Sequence, residues 1–456
     1  MLRATDVAAV REQLGREPTT RFTVVARCTG GHPLVIRNAP IDADGHPFPT
    51  TYWLTCPEAR RAISTLESEG WIARLNERAE TDAAFGTALV ATHRAYAEDR
   101  ALDLAEASTW GGVGGTTRGI KCLHAHYAHR LAGGDDPVGA WVAERVEPVH
   151  AEQRPGRVAA IDQGTNSVRL LVAEPAPGGF TELARDMVIT RLGQGVDATG
   201  RIDAAALDRT VAVLARYCRR ARALGSERIR VGATSAVRDA SNRGDLERAV
   251  REHAGSDLEV LGGRTEAALS FLGGTYGLDP SEGPFCVMDI GGGSTEFIVN
   301  GKAISTQMGS VRLTERFVRH DPPAREELEA VRIAVYEILD EVESVVPVRD
   351  ARTLVAVAGT ATTTQAVALG LDVHDPERIH RSWLTRADAE HTRDRFAAMT
   401  NAERSALAVM PPGRGDVITA GVVILVTAMR RFGFERALVS ETDILDGLVL
   451  EMLGIG

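Results

Sequence analysis

The stretch VAAIDQGTNSVRLLVAEP, from Val158 to Pro175, and the stretch CVMDIGGGSTEFIVNG, from Cys286 to Gly301, share one plan: apolar strand, Asp-x-Gly-x-x-Ser, apolar strand. Their aspartates, Asp162 and Asp289, stand 127 positions apart. A single Asp-x-Gly turn is ordinary hairpin punctuation, because Asp and Gly are among the commonest turn residues. Two copies in register, each followed by the same order of elements, constrain the fold far more.

The hydrophobic pattern supplies that order. Strands are expected at 158–161, 168–173 and 183–189, then a helix from Ala204 to Leu224. In that helix Leu207, Val211, Leu214 and Cys218 form one apolar stripe, and Gly225 is placed to end it. Strand 228–233, helix 243–254, strand 258–261 and helix 265–276 complete the first copy. The second copy runs through strands 285–289, 295–299 and 303–308, helix 323–345, strand 353–358, helices 361–370 and 416–431, strand 436–440 and helix 443–453. A duplicated β-β-β-α-β-α-β-α unit predicts an α/β fold of two lobes facing each other across a cleft.

Glycines that tolerate positive φ and leave backbone N–H groups uncovered let such turns approach an anion. An aspartate at a strand end is a hard oxygen ligand suited to Mg²⁺, which takes one or two carboxylates plus phosphate oxygens. Glu296, two residues beyond Ser294, adds a carboxylate that strand alternation can aim at the same face. Spacing alone fits an exposed strand residue equally well. A Walker-type phosphate loop is excluded, since the chain's only Gly-Lys, Gly301-Lys302, is followed by Ala303.

Composition narrows the partners. The 456-residue chain carries a net charge of -10, which argues against general binding to nucleic acid or to anionic membranes. Lysine occurs only at Lys121 and Lys302, so a phosphate-rich ligand must meet arginine and backbone N–H. Five widely spaced cysteines without a C-x-x-C pair fit a reducing cytosol. The N-terminal stretch reads as an amphipathic helix and lacks a signal-peptide apolar run. No apolar run approaches the roughly 18 residues of a membrane span.

Further blocks accompany the two turns: VGATSAVRDASN (Val231–Asn242), GGRTEAALSFLGG (Gly262–Gly274), MGSVRLTE (Met308–Glu315), VAGTATTTQA (Val357–Ala366), MPPGRGDVI (Met410–Ile418) and VSETDILDGL (Val439–Leu448). In this order they resemble the exopolyphosphatase/guanosine pentaphosphate phosphohydrolase family, from Val158 to the C-terminus. The resemblance implies the duplicated ribonuclease H-like fold of the acetate kinase, Hsp70 and actin superfamily. It implies a catalytic glutamate at Glu266 and metal-binding carboxylates at Asp162, Asp289 and Glu296, with Mg²⁺ the expected cofactor and Mn²⁺ the alternative. Phosphate contacts are implied at Gly164, Thr165, Asn166, Ser167, Arg238, Gly291, Gly292, Gly293 and Ser294.

Two departures stand out. Thr265 precedes Glu266 where the family usually has a second glutamate, and Thr165 replaces the usual serine while keeping a hydroxyl. The implied substrate is inorganic polyphosphate, with short chains expected because the extra C-terminal helical domains of long family members are absent. Guanosine pentaphosphate is the alternative substrate, and a kinase or a non-catalytic sensor of guanosine polyphosphates are rivals from the same fold. A homodimer is one assembly to test. Arg312 and Arg414 fit surface or ion-pair arginines better than cleft residues.

Residues 22–141 resemble a bacterial family of unknown function, number 501, which carries no activity with it. The expected division is 1–145 for this separate α+β domain, 146–156 for a polar linker, 157–279 for the first lobe and 280–456 for the second, with the final helix packing back on the first as a variant. In KCLHAHYAHRL, Cys122, His126 and His129 would share one helix face as a candidate Zn²⁺ set, against simple packing. DADGHP, from Asp42 to Pro47, starts like a calcium loop but has Trp53 at the twelfth position, so a turn is expected.

Overall fold

The computed structural model describes residues 4–28, 30–42, 46, 48, 50–101, 111–146 and 156–455. The expected linker lies outside the described residues except at Val146 and Gly156, as does most of DADGHP. One compact unit comprises Met1–Ala159, Leu171–Asp186 and Ala215–Ile229; the other comprises Ala160–Leu170, Met187–Leu214 and Arg230–Gly456.

In the first unit, strands β1 (Phe22–Arg27), β2 (Pro33–Asn38) and β3 (Tyr52–Leu54) form an antiparallel sheet. The amphipathic helix Ala4–Leu14 inserts Val10 against Phe22, Val24 and Ile36. Helices Pro57–Ser68, Trp71–Thr81, Ala83–Ala101, Leu123–Leu131 and Pro137–Ala143 complete this N-terminal α+β domain.

The expected Cys122/His126/His129 set does not form. Cys122 is the cap residue just outside helix Leu123–Leu131, so helical spacing does not apply to it. The Nδ1 atoms of His126 and His129 lie 2.9 and 3.0 Å from Oδ2 of buried Asp136. Burial pushes the Asp136 carboxyl up, but the two imidazoles outweigh this and hold it well below the usual range. All five cysteines are free, and no helix among the described residues is long and apolar enough to cross a membrane.

The first repeat builds β4 (Val158–Gln163), β5 (Ser167–Ala176), β6 (Gly179–Ile189), β7 (Arg228–Ala233) and β8 (Leu258–Val260), in sheet order β6-β5-β4-β7-β8. The second builds β9 (Phe285–Ile290), β10 (Thr295–Val299), β11 (Lys302–Thr306), β12 (Thr353–Val357), β13 (Ser382–Thr385) and β14 (Arg436–Val439), in order β11-β10-β9-β12-β14-β13. Without the added antiparallel edge strand β13, the second order repeats the first strand for strand. The duplication inferred from the two turns is therefore a duplication of topology.

Helix Gly263–Thr275 lies on the second sheet, where Ala267 joins Val287, Ile298, Val355 and Val357 in one apolar cluster. The final helix, Ile444–Leu453, packs on it backbone to backbone. A Cβ at Gly273 would collide with the Asp443 carbonyl, and one at Gly447 with the Leu269 carbonyl. Neither helix backbone can yield, so Gly447→Ala is expected to cost about 2–3 kcal/mol of stability, read as a lower urea midpoint.

Candidate active site

Asp162 and Asp289 occupy the same place in their repeats, one residue before the end of β4 and of β9. Each following turn closes with the same bond: Gly164 N–H donates to the Ser167 carbonyl at 2.9 Å, and Gly291 N–H to the Ser294 carbonyl at 3.0 Å. Neither Gly164 nor Gly291, Gly292 or Gly293 has positive φ, so the expectation of left-handed glycines fails. Glycine serves close approach instead. A Cβ at Gly293 would lie 2.6 Å from Ser235 Oγ and 2.7 Å from Thr165 Oγ1, and one at Gly292 would lie 3.1 Å from Thr165 Cβ. The two turns thus lie directly against one another. Among the described residues, the backbone N–H groups of Thr165, Asn166, Gly292 and Gly293 reach no acceptor.

Four carboxylates gather beside these turns. Glu266 stands in the first turn of helix Gly263–Thr275 and is 6% exposed. Its Oε2 takes a 2.9 Å bond from Arg238, whose same nitrogen also donates to the Leu261 carbonyl at 2.8 Å. Nε and the second terminal nitrogen of Arg238 have no partner among the described residues. One helical turn beyond Glu266, Ser270 Oγ donates to Asp289 Oδ2 at 2.6 Å. Glu296 faces Asp289 directly across β9 and β10, and Ser305 Oγ donates to its Oε1 at 2.6 Å. Spacing left Glu296 open between a site residue and an exposed one; it is 1% exposed.

Like charges directly opposite each other in a sheet repel, and burial strengthens the effect. Burial, Asp289 and Asp162 push the Glu266 carboxyl up to about 7 against the pull of Arg238. Burial, Asp443 and Asp162 push Asp289 up to about 6. Burial, Glu266 and Asp289 hold Glu296 well above the usual range. Burial also raises Asp162, with Arg169 opposing. Such a cluster calls for a proton or a cation.

Asp162, Asp289 and Glu296 do not by themselves close a cage: among the described residues, they form no threesome with ligand atoms within 4.8 Å of one another. One reason lies in Arg169, which donates to Asp162 Oδ2 at 2.6 and 3.0 Å and also pairs with Asp443, the cap of the final helix. Arg169, Asp443, Ser270 and Ser305 are not among the site residues expected from the sequence. Arg169 follows Ser167 by two positions in β5, and that strand alternation was the available signal. The other three depend on tertiary packing.

Arg312 matches its ion-pair reading, pairing with Asp197 and with Asp239, and its Nε also donates to the Gly293 carbonyl at 2.8 Å. Arg414 departs from its reading. It is half-buried, bonds the Gly359 carbonyl at 3.2 Å and Thr363 Oγ1 at 2.9 Å, and has no carboxylate in salt-bridge range among the described residues. Burial and the nearby Arg169 guanidinium pull it down to about 10.

Similarity to known proteins follows the same lines. Residues 24–144 match the family model described as protein of unknown function (DUF501). Exopolyphosphatase 2 of Mycobacterium tuberculosis is 42% identical over 316 residues, covering 65% of this chain and 99% of that protein. A solved Ppx/GppA family member from Aquifex aeolicus is 31% identical with a TM-score of 0.55, covering 65% of this chain and 98% of its own. An exopolyphosphatase structure from Cytophaga hutchinsonii is 26% identical with a TM-score of 0.61, covering 66% and 99%. The family model itself matches residues 171–455, most of the duplicated fold, and the chain therefore belongs to the Ppx/GppA phosphatase family.

Proposed function

We propose that this protein is an exopolyphosphatase, hydrolysing the terminal phosphoanhydride of inorganic polyphosphate and releasing orthophosphate. The observation that carries the reading is the meeting of two abutting turns, rich in unengaged N–H groups, with a crowd of buried carboxylates. A terminal phosphoryl group needs the donors, and its attacking water needs one of the carboxylates.

In this reading the N–H groups of Thr165, Asn166, Gly292 and Gly293 hold phosphoryl oxygens, with Gly164, Ser167, Gly291 and Ser294 shaping the turns. Arg238 offers the nitrogens not committed to Glu266 and Leu261, and Arg414 adds a guanidinium with no carboxylate in salt-bridge range among the described residues. Glu266 orients the water and accepts its proton, a task suited to a carboxyl raised to about 7 by burial.

The residues fit a hard divalent cation. Asp162 Oδ1 is buried without a partner among the described residues, and Asp289 and Glu296 oppose each other across β9 and β10. Asp289 and Glu296, with Asp162, would hold Mg²⁺, or Mn²⁺ in its stead. The ion supplies neutralisation of the charge on phosphate oxygens. A cytoplasmic location is part of the same proposal and fits five free cysteines.

Orthophosphate release from short polyphosphate, long polyphosphate and guanosine pentaphosphate, measured side by side with Mg²⁺, tests the proposal. Polyphosphate turnover is expected. Turnover of guanosine pentaphosphate alone would favour the alternative phosphohydrolase, and tight binding of guanosine polyphosphates without turnover would favour a sensor. In the same assay Gly293→Ala is expected to lose about 10²-fold in kcat, because its methyl group must displace Ser235 or Thr165 and shift the turn. Its melting temperature should change little.

A further inference from the structure

The N-terminal domain carries a second cluster of ligand-type side chains, remote in sequence from every residue of the candidate active site. Glu67 near the end of helix Pro57–Ser68, Cys122 as the cap residue just before helix Leu123–Leu131, and His124 in that helix's first turn bring one ligand atom each within 4.8 Å of the others. Cys122 Sγ lies 3.9 Å from His124 Nδ1, which lies 3.1 Å from Glu67 Oε1. Two ligand atoms bound at about 2.0–2.3 Å to one tetrahedral zinc stand roughly 3.3–3.6 Å apart, so these separations bracket the edges of such a site.

Hydrogen bonding around the cluster prepares it for a cation. His124 Nε2 lies 3.0 Å from the Arg60 carbonyl, which can only accept, so Nε2 carries the ring proton. A metal-ligating histidine is characteristically oriented in this way, its other ring N–H donated to a carbonyl. In the neutral ring Nδ1 then presents a lone pair to a carboxylate oxygen, and positive charge must sit between them. Burial opposes a second proton on the ring, but Cys122, the Arg60 carbonyl and Glu67 outweigh it and push His124 up to about 9; a metal ion competes with that proton for Nδ1 and, unlike it, binds sulfur, nitrogen and carboxylate at one centre. The carboxylate is pinned by the Leu123 N–H, which donates to Glu67 Oε1 at 2.7 Å. Cys122 makes no side-chain capping bond, so its sulfur is not committed to the helix end.

A nucleophilic triad fits less well. There the acid would hold the nitrogen opposite the one facing the thiol; here Glu67 and Cys122 both face Nδ1. Side chains of Glu67 and His124 are 25% and 21% exposed, which leaves a solvent-facing side for a fourth ligand.

We propose that Glu67, Cys122 and His124 form a binding site for a borderline divalent metal ion, Zn²⁺ in the first instance, with three protein ligands and one open position. Cys28 and His32 provide an internal control: their Sγ–Nδ1 separation is 3.8 Å, but no third ligand joins them among the described residues.

The test uses the full chain, stripped with chelator and titrated with Co²⁺. Wild type is expected to develop a thiolate-to-cobalt charge-transfer band that saturates at one sulfur-bound ion per chain, separate from any Co²⁺ held by the carboxylates Asp162, Asp289 and Glu296, and Zn²⁺ should abolish the band. Cys122→Ser should abolish the band, and Cys122→His should bind Co²⁺ without the sulfur band, which separates ligand loss from misfolding. Glu67→Gln should weaken binding by about tenfold or more, whereas Cys28→Ser and Glu266→Gln should leave band and affinity intact. Absence of the band in wild type, its survival in Cys122→Ser, or its loss in Cys28→Ser would overturn the proposal. Because the band reports sulfur ligation and no cysteine lines the phosphatase site, the result is independent of that site's activity.

Discussion

Glu266→Gln lowers the rate of orthophosphate release by about 10²–10⁴-fold, the span that a positioned general base contributes. Glutamine keeps the shape and can still accept from Arg238 through its carbonyl, so the loss falls on kcat. It cannot take a proton from water. The substitution also removes a carboxyl that burial, Asp289 and Asp162 make costly to ionise, so the metal-free variant should melt no lower than wild type at pH 8. Steady-state kinetics and thermal melts on the same preparations check both halves. A variant retaining more than about a tenth of wild-type kcat would remove Glu266 from the role assigned to it.

A second large effect concerns pH and metal together. Glu266 at about 7, Asp289 at about 6 and Glu296 well above its ordinary range all have folded values above their unfolded ones. The stability they contribute is fully present below about pH 4, where both states are protonated, and is lost as pH rises through the folded values. Metal-free protein should therefore lose stability between about pH 4 and pH 8, apart from what other groups contribute. A displacement such as that of Asp289, from 3.8 to about 6, is worth on the order of 3 kcal/mol. The three titrate as one cluster, so their effects do not add. A divalent cation replaces the missing protons, and millimolar Mg²⁺ should raise the melting temperature much more at pH 8 than at pH 5. Asp289→Asn should flatten the metal-free slope and reduce the Mg²⁺ response. An equal Mg²⁺ response at both pH values would contradict the cation role of this cluster.

Much of the fold was legible because it is written in local signals. The helix expected at Ala204–Leu224 is observed as Ala204–Ala223, ended by a left-handed Gly225, and the strand expected at 228–233 is observed as Arg228–Ala233. Edge strand β13 and helix Arg386–Ala398 went unread, since Ser382–Thr385 is short and partly exposed and the helix has charge on nearly every side. At the candidate site, repeated motifs pointed to Asp162 and Asp289. Their second partners did not show, because Arg169 reaches Asp443 across 274 positions and Ser270 meets Asp289 only once a helix is laid on the sheet. The reading of Cys122 with His126 and His129 failed for a related reason. A helical wheel presumed that Cys122 lies inside the helix, and the chain turns extended at that residue.

The most direct measurement is a crystal structure of Glu266→Gln soaked with short polyphosphate and Mg²⁺. The terminal phosphate is expected between the N–H groups of Thr165–Asn166 and Gly292–Gly293, with the ion against Asp289 and Glu296 and a water between residue 266 and phosphorus. Polyphosphate bound elsewhere, with both turns and all three carboxylates untouched, would contradict it.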